Sequence, residues 1–453
     1  DGSLIFWQIV AGCSAGSGRG NPTGRTGLKE CGTEPKRGLR MWDSLFEQAV
    51  RRIIRRGTLV IEFPDGTTRR YGDGSGEPVV VRMKDRDLMR RIVLNADLGV
   101  GEGYMNGDLE IENDDLYAFM TLANKNLAAG NRFWWHRMLE RIRRMVRTAQ
   151  QYNSLGRAKD NVAHHYDLSG ELYDLFLDAD KQYSCAYFAR PDMTLEEAQE
   201  AKKAHIAGKL LIEPGMRVLD IGCGWGGMGL TLARDHGAKV LGVTLSEEQH
   251  KVATARAKAE GLDDRVEFRL ADYRTLDETF DRIVSVGMFE HVGVPYYREY
   301  FRHVRQKLTD DGIALIHTIG RPTPPGTTSP WIAKYIFPGG YIPAMSEVMT
   351  AVEKEDLWST DIEVWRLHYA ETLKNWHDRF MANRDRAKEL YDERFCRMWR
   401  YYLVASELTF RYNKQCVFQF QLTRRQDAVP LTRDYLYRPD SGAKADDIPH
   451  AAE

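Results

Sequence analysis

The feature that most constrains the fold is a regular alternation of short apolar runs with amphipathic stretches from residue 196 onward. The apolar runs have the length of buried strands and lie at 216–222, 238–245, 266–272, 280–289 and 312–320. The intervening stretches have helical periodicity and lie at 225–236, 246–260 and 296–308. Strands that alternate with helices form right-handed βαβ units and a mainly parallel sheet with helices on both faces. The pattern therefore predicts an α/β domain.

A glycine-rich turn follows the first of these strands, in the sequence VLDIGCGWGG (218–227). Glycine permits a tight turn and lets a ligand approach the backbone closely. Dinucleotide-binding loops hold a pyrophosphate with the spacing G-x-G-x-x-G. Here the spacing is G-x-G-x-G-G and an acid, Asp220, precedes it, which is the form found in methyltransferases. The motif predicts an S-adenosylmethionine site at Asp220, Gly222, Gly224 and Gly226.

The next two strands end in side chains that suit the rest of that cofactor. A ribose would lie at the end of the second strand, and an adenine ring at the end of the third. The residues concerned are Thr244, Leu245, Ser246 and Gln249 after the second strand, and Asp272 and Tyr273 after the third. Ligands of open α/β sheets bind at the carboxyl ends of the strands. Three successive strand ends with suitable groups therefore predict one binding pocket.

Composition argues against several other kinds of site. The chain has 453 residues and a formal net charge of −1, so its overall charge does not indicate nucleic-acid binding. Its cysteines form no C-x-x-C pair and no zinc spacing, which predicts reduced thiols, no metal site and a cytosolic protein. These cysteines are Cys13, Cys31, Cys185, Cys223, Cys396 and Cys416. No run of about 20 apolar residues occurs, so we expect no membrane-spanning helix.

The sequence divides into four predicted parts. Residues 1–40 are rich in Gly, Ser, Thr, Arg and Lys, and we expect a disordered leader or an artefact that precedes a natural start at Met41. A small α+β domain is predicted over 41–150. The α/β domain is predicted over 160–425. Residues 426–453 lose periodicity and are predicted to form a loose tail.

Further elements are predicted outside the main alternation. In the first domain we expect a helix at 41–57, two strands around the turn Pro64-Asp65-Gly66, a strand at 78–83, a stretch at 84–114 that runs from a helix into a glycine-punctuated loop, and a helix at about 114–129. In the second domain we expect one long helical stretch at 385–412 and a closing strand at 416–424.

The segment 131–150 combines arginines with aromatic and aliphatic residues and contains one acid, Glu140. Its arginines are Arg132, Arg137, Arg141, Arg143, Arg144 and Arg147. A basic amphipathic helix with interfacial aromatics suits an anionic membrane surface. A linker helix that packs its apolar face on a neighbouring domain would have the same pattern. The sequence leaves both interpretations open.

Eight segments in order resemble the family of the cyclopropane-fatty-acyl-phospholipid synthases and mycolic acid cyclopropane synthases. They cover about 160–425 and are NVAHHYDLSGELYDLFLD (161–178), QYSCAYF (182–188), VLDIGCGWGG (218–227), DRIVSVGMFEHVG (281–293), LIHTIG (315–320), WIAKYIFPGGYIP (331–343), HYAETLKNWHDRF (368–380) and RFCRMWRYYL (394–403). The resemblance implies a Rossmann-like S-adenosylmethionine-dependent methyltransferase domain. Residues 41–150, with GVGEGYMNGDLE (99–110), resemble the smaller N-terminal α+β lipid-binding domain of the longer bacterial members.

In that family the double bond of a cis-unsaturated acyl chain attacks the sulfonium methyl group, a base removes a proton, and a cyclopropane ring closes. The resemblance implies that the base is bicarbonate, and that it would be held by Cys185, Glu290, His317, Ile319 and Tyr369. An alkene has no acidic proton to lose beforehand, so alignment and a dry, cation-stabilising pocket are the help that the reaction needs. Tyr183 and Ser184 match family positions that line the cofactor pocket.

Several of these residues have ordinary structural interpretations when taken alone. Glu290 and His291 could cap a helix, and His317 could be a core histidine of an apolar strand. The ordered segments favour the site instead. Ser406 stands where many family members have a cysteine. Transfer to an alkene needs no protein nucleophile, so we expect Ser406 to be compatible with activity.

The resemblance further implies membrane phospholipids with unsaturated acyl chains as substrates, peripheral association with the inner face of the cell membrane, and a homodimer. Two alternatives remain open at this point. One is a related fatty-acyl methyltransferase that yields a methyl-branched or methylene product. The other is a non-catalytic lipid-binding protein with a degenerate methyltransferase fold, against which the intact glycine loop argues.

Overall fold

The first sheet lies in the N-terminal part of the chain. The computed structural model describes residues 37–130 and 170–437, and Trp42–Glu453 forms one compact unit. The four strands are β1 (Thr58–Glu62), β2 (Thr68–Gly72), β3 (Pro78–Met83) and β4 (Leu109–Ile111). The helices around them are α1 (Arg37–Ile53), α2 (Asp87–Leu94), α3 (Ala96–Asn106) and α4 (Leu116–Ala128). The strand order is β2-β1-β3-β4, with a parallel β1–β3 pair.

The second sheet has the mainly parallel architecture predicted from the alternating pattern. Its seven strands are β5 (Arg217–Ile221), β6 (Lys239–Thr244), β7 (Val266–Leu270), β8 (Phe280–Val286), β9 (Leu308–Gly320), β10 (Trp358–Trp365) and β11 (Cys416–Thr423). Their order is β10-β11-β9-β8-β5-β6-β7, with β5 to β9 parallel and β11 antiparallel to both of its neighbours. The strand order reverses between β5 and β8, which places a ligand crevice at their carboxyl ends.

Helices cover both faces of this sheet, as the alternation predicts. They are α5 (Gly170–Asp174), α6 (Leu195–Leu210), α7 (Gly227–His236), α8 (Glu247–Ala259), α9 (Tyr297–Lys307), α10 (Pro330–Tyr335), α11 (Met345–Lys354), α12 (His368–Ala382), α13 (Arg384–Leu390), α14 (Glu393–Tyr412) and α15 (Asp434–Tyr437). Helix α14 packs against α12 and also against α3 and α4 of the N-terminal part. The two sheets therefore share a helical layer.

The glycine-punctuated loop expected within 84–114 is wrong for Ala96–Asn106, because this stretch forms helix α3. A Cβ atom at Gly101 would lie 2.4 Å from the indole of Trp331, and one at Gly99 would lie 2.7 Å from the backbone of Ile92. The glycines therefore allow close packing rather than a turn. The contact is completed by Asp97, which accepts hydrogen bonds from Ser329 Oγ at 2.7 Å and from the Trp331 amide at 3.0 Å.

One further expectation needs correction. The single helical stretch at 385–412 is broken after α13, where Asp392 accepts a hydrogen bond from the Phe395 amide and thereby caps the start of α14. The described part of the expected loose tail, 426–437, is mostly exposed and makes a few contacts with the domain. Val429 is buried, and Gln421 of β11 donates a hydrogen bond to the Tyr435 hydroxyl at 3.0 Å.

Some predictions concern residues outside those that the structure describes. They include the basic segment 131–150, nearly all of 1–40, and the first nine residues of the segment 161–178. Across 37–130 and 170–437, no helix is both long and apolar enough to cross a bilayer.

We predict that Gly101→Ala lowers the free energy of unfolding by about 1–3 kcal/mol, because the added methyl group overlaps the Trp331 ring. Thermal or denaturant unfolding measures the change. Gly208→Ala is the matched control within helix α6, since its Cβ would meet Leu436 at an ordinary 3.7 Å. That control should be neutral or stabilising by up to about 1 kcal/mol. Equal effects of both substitutions would contradict close packing at Gly101.

Candidate active site

The glycine loop after β5 has the conformation that its sequence predicts. Gly222, Gly224 and Gly226 have φ values of +79°, +56° and +86°, which L-residues with a side chain rarely adopt. The amides of Gly222 and Cys223 donate to the Val243 carbonyl of β6 at 2.9 and 3.0 Å. A Cβ at Gly224 would meet no atom within 4 Å, so this residue leaves its side of the loop open. The loop thus forms one wall of a pocket.

The pocket contains ten of the twelve residues predicted to bind the cofactor. These ten are Tyr183, Ser184, Asp220, Gly222, Gly224, Thr244, Leu245, Gln249, Asp272 and Tyr273. They come from the segment before α6 and from the carboxyl ends of β5, β6 and β7. The convergence arises because parallel strands end at the same edge of a sheet.

Gly226 and Ser246 are not among the residues that line this pocket, so the structure does not place them as predicted. Gly226 stands at the start of α7, where a Cβ would lie 2.7 Å from the Phe268 ring. Ser246 caps α8 by accepting a hydrogen bond from the Gln249 amide at 3.3 Å. Both residues shape the backbone next to the pocket.

The pocket also has a wall that the sequence analysis did not identify. It is formed by residues that follow β8 and by a turn after α10, and includes Val286, Gly287, Met288, His291, Val292, Tyr296, Pro338 and Gly339. The first group follows a fourth strand end, so the rule that located the other walls could have found it. The second group lies far along the chain in irregular structure, and its placement depends on tertiary packing.

Asp220 is the most informative group in the pocket. Its side chain is 2% exposed, and Oδ2 has no hydrogen-bond partner in the described part of the protein. Burial raises the pKa of this carboxyl group to about 7, and the Lys202 charge opposes that rise. An unpartnered buried carboxylate is costly unless a ligand satisfies it. The ammonium group of an amino-acid cofactor fits that requirement.

The other polar residues of the pocket are already positioned by protein contacts. Thr244 Oγ1 donates to Gln249 Oε1 at 2.9 Å, and both side chains are buried. Asp272 accepts from Arg274 Nε at 2.9 Å and from Arg274 Nη2 at 2.7 Å. Burial raises the pKa of the adjacent Tyr273 hydroxyl, which keeps that ring neutral. These contacts fix the acceptors before any ligand binds.

The five residues predicted to hold bicarbonate are brought together beside this pocket. Glu290 Oε1 accepts a hydrogen bond from the Ile319 amide at 2.6 Å. Cys185 is fully buried and packs with Ile319 and Tyr369 in one apolar cluster that also contains Trp365. His317 meets the same Trp365 edge to face, with ring centroids 5.1 Å apart. The cluster therefore joins residues separated by almost 200 positions.

Glu290 and His317 each have a buried polar atom without a protein partner. These atoms, among the described residues, are Glu290 Oε2 and His317 Nε2. The other ring nitrogen of His317, Nδ1, lies 3.1 Å from Gln419 Nε2. In this orientation of the Gln419 amide its nitrogen donates to Nδ1, which corresponds to the tautomer with the proton on Nε2. Each of these two atoms is therefore open to a ligand contact.

Burial determines the charge state of this cluster. It raises the pKa of Glu290 to about 7, and it lowers the pKa of His317 well below its ordinary value. Burial also raises the pKa of the Cys185 thiol, so Cys185 is not a nucleophile. The neighbouring His291, in the pocket wall, has its pKa lowered to about 4 by burial. At pH 7 His317 is therefore neutral, and Glu290 is close to the midpoint of its titration.

Aromatic rings surround the segment that connects the pocket with the cluster. Tyr183 stacks on Trp376 with centroids 5.1 Å apart, and Tyr369 meets the edge of Trp376 at 5.9 Å. Tyr183 and Tyr402 share a hydroxyl contact of 2.9 Å. Aromatic faces attract cations, so this arrangement can stabilise positive charge in a dry site.

Metal binding and disulfide formation find no support in the described residues. No group of three His, Cys, Asp or Glu side chains there could hold a metal ion. Cys185, Cys223, Cys396 and Cys416 are free and buried, while Cys13 and Cys31 lie outside the described residues. Ser406 lies within α14 and is not among the residues lining the pocket.

Comparison with known proteins gives consistent matches. A family model described as mycolic acid cyclopropane synthetase matches residues 153–420, and a model for a domain of unknown function matches 42–128. The cyclopropane-fatty-acyl-phospholipid synthase of Escherichia coli (strain K12) is 40% identical over 350 residues, 77% of this chain and 88% of the relative. The tuberculostearic acid methyltransferase UfaA1 of Mycobacterium tuberculosis is 35% identical over 398 residues, which are 84% of this chain and 91% of the relative.

Solved structures agree with these matches. The mycolic acid cyclopropane synthase CmaA1, complexed with SAH and CTAB, is 35% identical with a TM-score of 0.56. The aligned part covers 58% of this chain and 97% of that chain. The mycolic acid cyclopropane synthetase model itself begins at residue 153, after the N-terminal sheet.

We predict that Glu290→Gln reduces the pH dependence of stability. The folded-state pKa of Glu290, about 7, lies above its ordinary value near 4.5. Between these values the unfolded chain has released the proton and the folded chain retains it, so the free energy of unfolding falls as pH rises. Removing the titration should make that fall smaller by about 2–3 kcal/mol. Denaturant unfolding at a series of pH values measures it.

The matched control is Glu353→Gln, which removes an exposed carboxylate of helix α11. Its unfolding free energy should follow the wild-type pH profile. If Glu290→Gln also followed the wild-type profile, the pKa of Glu290 would be in its ordinary range and the inferred charge state of the cluster would be wrong.

Proposed function

Because this chain belongs to the mycolic acid cyclopropane synthetase family, we propose that it transfers a methylene group from S-adenosylmethionine to the cis double bond of an unsaturated phospholipid acyl chain, forming a cyclopropane ring. The family match over 153–420 confirms the resemblance drawn from the ordered segments. The observation that carries the proposal is the unpartnered pair of Glu290 Oε2 and His317 Nε2 beside the glycine-loop pocket. A pair of this kind could also serve methyl transfer to an N–H or O–H group, so the family match over 153–420 is what selects the alkene.

Ten pocket residues would hold S-adenosylmethionine, which supplies a methyl group on a positively charged sulfur when bound. Asp220 would accept hydrogen bonds from the ammonium group of its amino-acid moiety. Thr244 and Gln249 would contact the ribose, and Asp272 and Tyr273 would contact the adenine, since all four line the pocket. Tyr183 would orient the opposite end, because its ring is fixed against Trp376. These contacts would align the methyl group for attack by an alkene.

Glu290 and His317 would hold bicarbonate, which supplies the base for ring closure when bound. His317 Nε2–H would donate to one oxygen of the anion. Glu290 has a pKa near 7 and can therefore either donate a proton or accept one. Tyr369 and the main chain at Cys185 and Ile319 border the same cluster. The aromatic rings nearby would stabilise the positive charge that develops on the acyl chain.

The N-terminal part is proposed to bind lipid and to hold the enzyme on the surface of a membrane. In its described residues, exposed arginines cluster at the end of α1 and on β2, and they are Arg51, Arg52, Arg55, Arg56, Arg69 and Arg70. Basic residues at a surface favour anionic lipid. The segment 131–150 would add to this attraction. We also propose a homodimer that associates peripherally with the inner face of the membrane.

The product test is a comparison of fatty acids from a host without its own synthase, with and without this chain. We expect a new acyl species that is heavier than a monounsaturated chain by one CH2 group. The species should resist hydrogenation, since a ring has no double bond to reduce. Glu290→Gln is the matched inactive variant. It should retain cofactor affinity and lose most turnover, because it cannot act as an acid or base.

Each other outcome points to a specific alternative. A heavier species that is reduced by hydrogenation would indicate a methylated or methylene product. No new species from a folded, cofactor-binding protein would indicate a different acceptor or a lipid-binding protein. Full turnover by Glu290→Gln would contradict the assignment of bicarbonate to this cluster.

We predict that neutralising Arg141, Arg143 and Arg144 together weakens binding to anionic vesicles, with the largest difference at low salt. Vesicle sedimentation over a range of salt concentrations measures the effect. The matched control neutralises Arg298, Arg302 and Arg305 of α9, which removes the same charge from the α/β domain. Equal binding by both variants would support the linker interpretation of 131–150.

A further inference from the structure

Gln419 lies in the middle of strand β11 and is fully buried. The register of β11 on β9 places it directly opposite His317. Side chains of opposite residues in an antiparallel pair lie on the same face of the sheet and are close enough to touch. Gln419 Nε2 accordingly lies 3.1 Å from His317 Nδ1. The register thus brings an amide group to the proposed bicarbonate cluster, which consists of Cys185, Glu290, His317, Ile319 and Tyr369.

The amide of Gln419 is directed at His317 and not at the strand on its other side. Glu363 of β10 stands opposite Gln419, so His317, Gln419 and Glu363 form a row across three strands. Glu363 contacts helix α6 instead, since its Oε2 lies 2.7 Å from His205 Nε2 and 2.5 Å from Lys209 Nζ. Gln419 Oε1 has no partner in the described part of the chain. The side-chain hydrogen bond of Gln419 there is the one to His317.

This contact decides what the other ring nitrogen of His317 can do. Burial lowers the pKa of His317 well below its ordinary value, so the ring is neutral at pH 7 and has one proton for two nitrogens. The hydrogen bond made by one nitrogen then determines the state of the other. With an N–H group of Gln419 directed at Nδ1, the proton lies on Nε2. With the amide oxygen in that place, the proton would lie on Nδ1, and the lone pair of Nε2 would repel an anion.

We propose that Gln419 is a positioning residue, which holds His317 in the tautomer whose Nε2–H group can donate to an anion in the cluster. The proposal rests on the proposed function, in which that anion is bicarbonate. Gln419 acts through His317, because it is not among the residues that line the cofactor pocket. Partners that orient metal-bound histidines act in the same way, and their loss typically costs about 10- to 100-fold in affinity or activity.

The first measurement is the tautomer of His317 in the ligand-free full chain, by nitrogen NMR of protein labelled with 15N-histidine. The two ring nitrogens have different chemical shifts in the two neutral tautomers, and the signals of His317 are those missing from His317→Asn. We expect the wild type to have its proton on Nε2. A wild-type proton on Nδ1 would overturn the proposal. This result depends on neither substrate nor a folded variant of Gln419.

The second measurement uses Gln419→Leu, which removes the N–H group and keeps a side chain of similar size. The ring of His317 should then populate both tautomers. The bicarbonate concentration for half-maximal turnover, measured in CO2-depleted buffer, should rise about tenfold, as expected for a weakened hydrogen bond to an ion. Affinity for S-adenosylhomocysteine, measured by calorimetry, should stay within about twofold of wild type, because Gln419 does not line that pocket.

The matched control is Gln421→Leu, two residues further along the same face of β11. Gln421 is also fully buried, and its Nε2 donates to the Lys209 carbonyl at 2.6 Å and to the Tyr435 hydroxyl at 3.0 Å. Its loss should lower the melting temperature and leave both the tautomer of His317 and the bicarbonate requirement as in wild type. Equal bicarbonate requirements in the two leucine variants would overturn the proposal. Wild-type turnover that is independent of bicarbonate would overturn the proposed function instead, while the NMR measurement still decides the role of Gln419.

Discussion

The hydrogen bond from the Ile319 amide to Glu290 is the contact on which the geometry of the site depends. It joins β9 to the turn that follows β8, so the bicarbonate cluster and the far wall of the pocket are fixed relative to each other. The parallel pairing of β8 with β9 makes this contact possible, since Val286 of β8 stands opposite His317 of β9. The sheet register therefore determines the distance between the glycine-loop pocket and the cluster that contains Glu290 and His317.

The second constraint is the burial of two carboxyl groups that lack a full set of hydrogen-bond partners. Asp220 and Glu290 are both removed from water, and each retains an oxygen without a protein partner. Such groups cost stability in the free protein, and that cost is offset when a ligand satisfies them. Burial also places the pKa of each carboxyl group near 7. Near pH 7 each carboxyl group is therefore close to the midpoint of its titration, and a bound ligand can shift it toward either state.

Sequence reasoning located the α/β sheet and most of the pocket because both follow local rules. Strand periodicity and the glycine loop specify β5 to β9, and polar residues at strand ends then predict three walls. Local rules failed where packing between distant segments determines the secondary structure or the contacts of a residue. Glycines usually interrupt helices, yet Gly101 lies inside α3 because Trp331 fills the space above it. Gly226 and Ser246 are adjacent in sequence to residues that line the pocket, but Gly226 packs closely against Phe268 and Ser246 caps α8.

The contact between Gly101 and Trp331 has a consequence for how sequences change among members of the family. The two residues lie 230 positions apart, on regions matched by different family models, yet neither can change size without the other. If the N-terminal region were exchanged between two relatives, the residue that corresponds to Gly101 would come from one parent and the residue that corresponds to Trp331 from the other. Chimaeras should therefore succeed only when both surfaces come from one parent, and these two positions should covary across related chains.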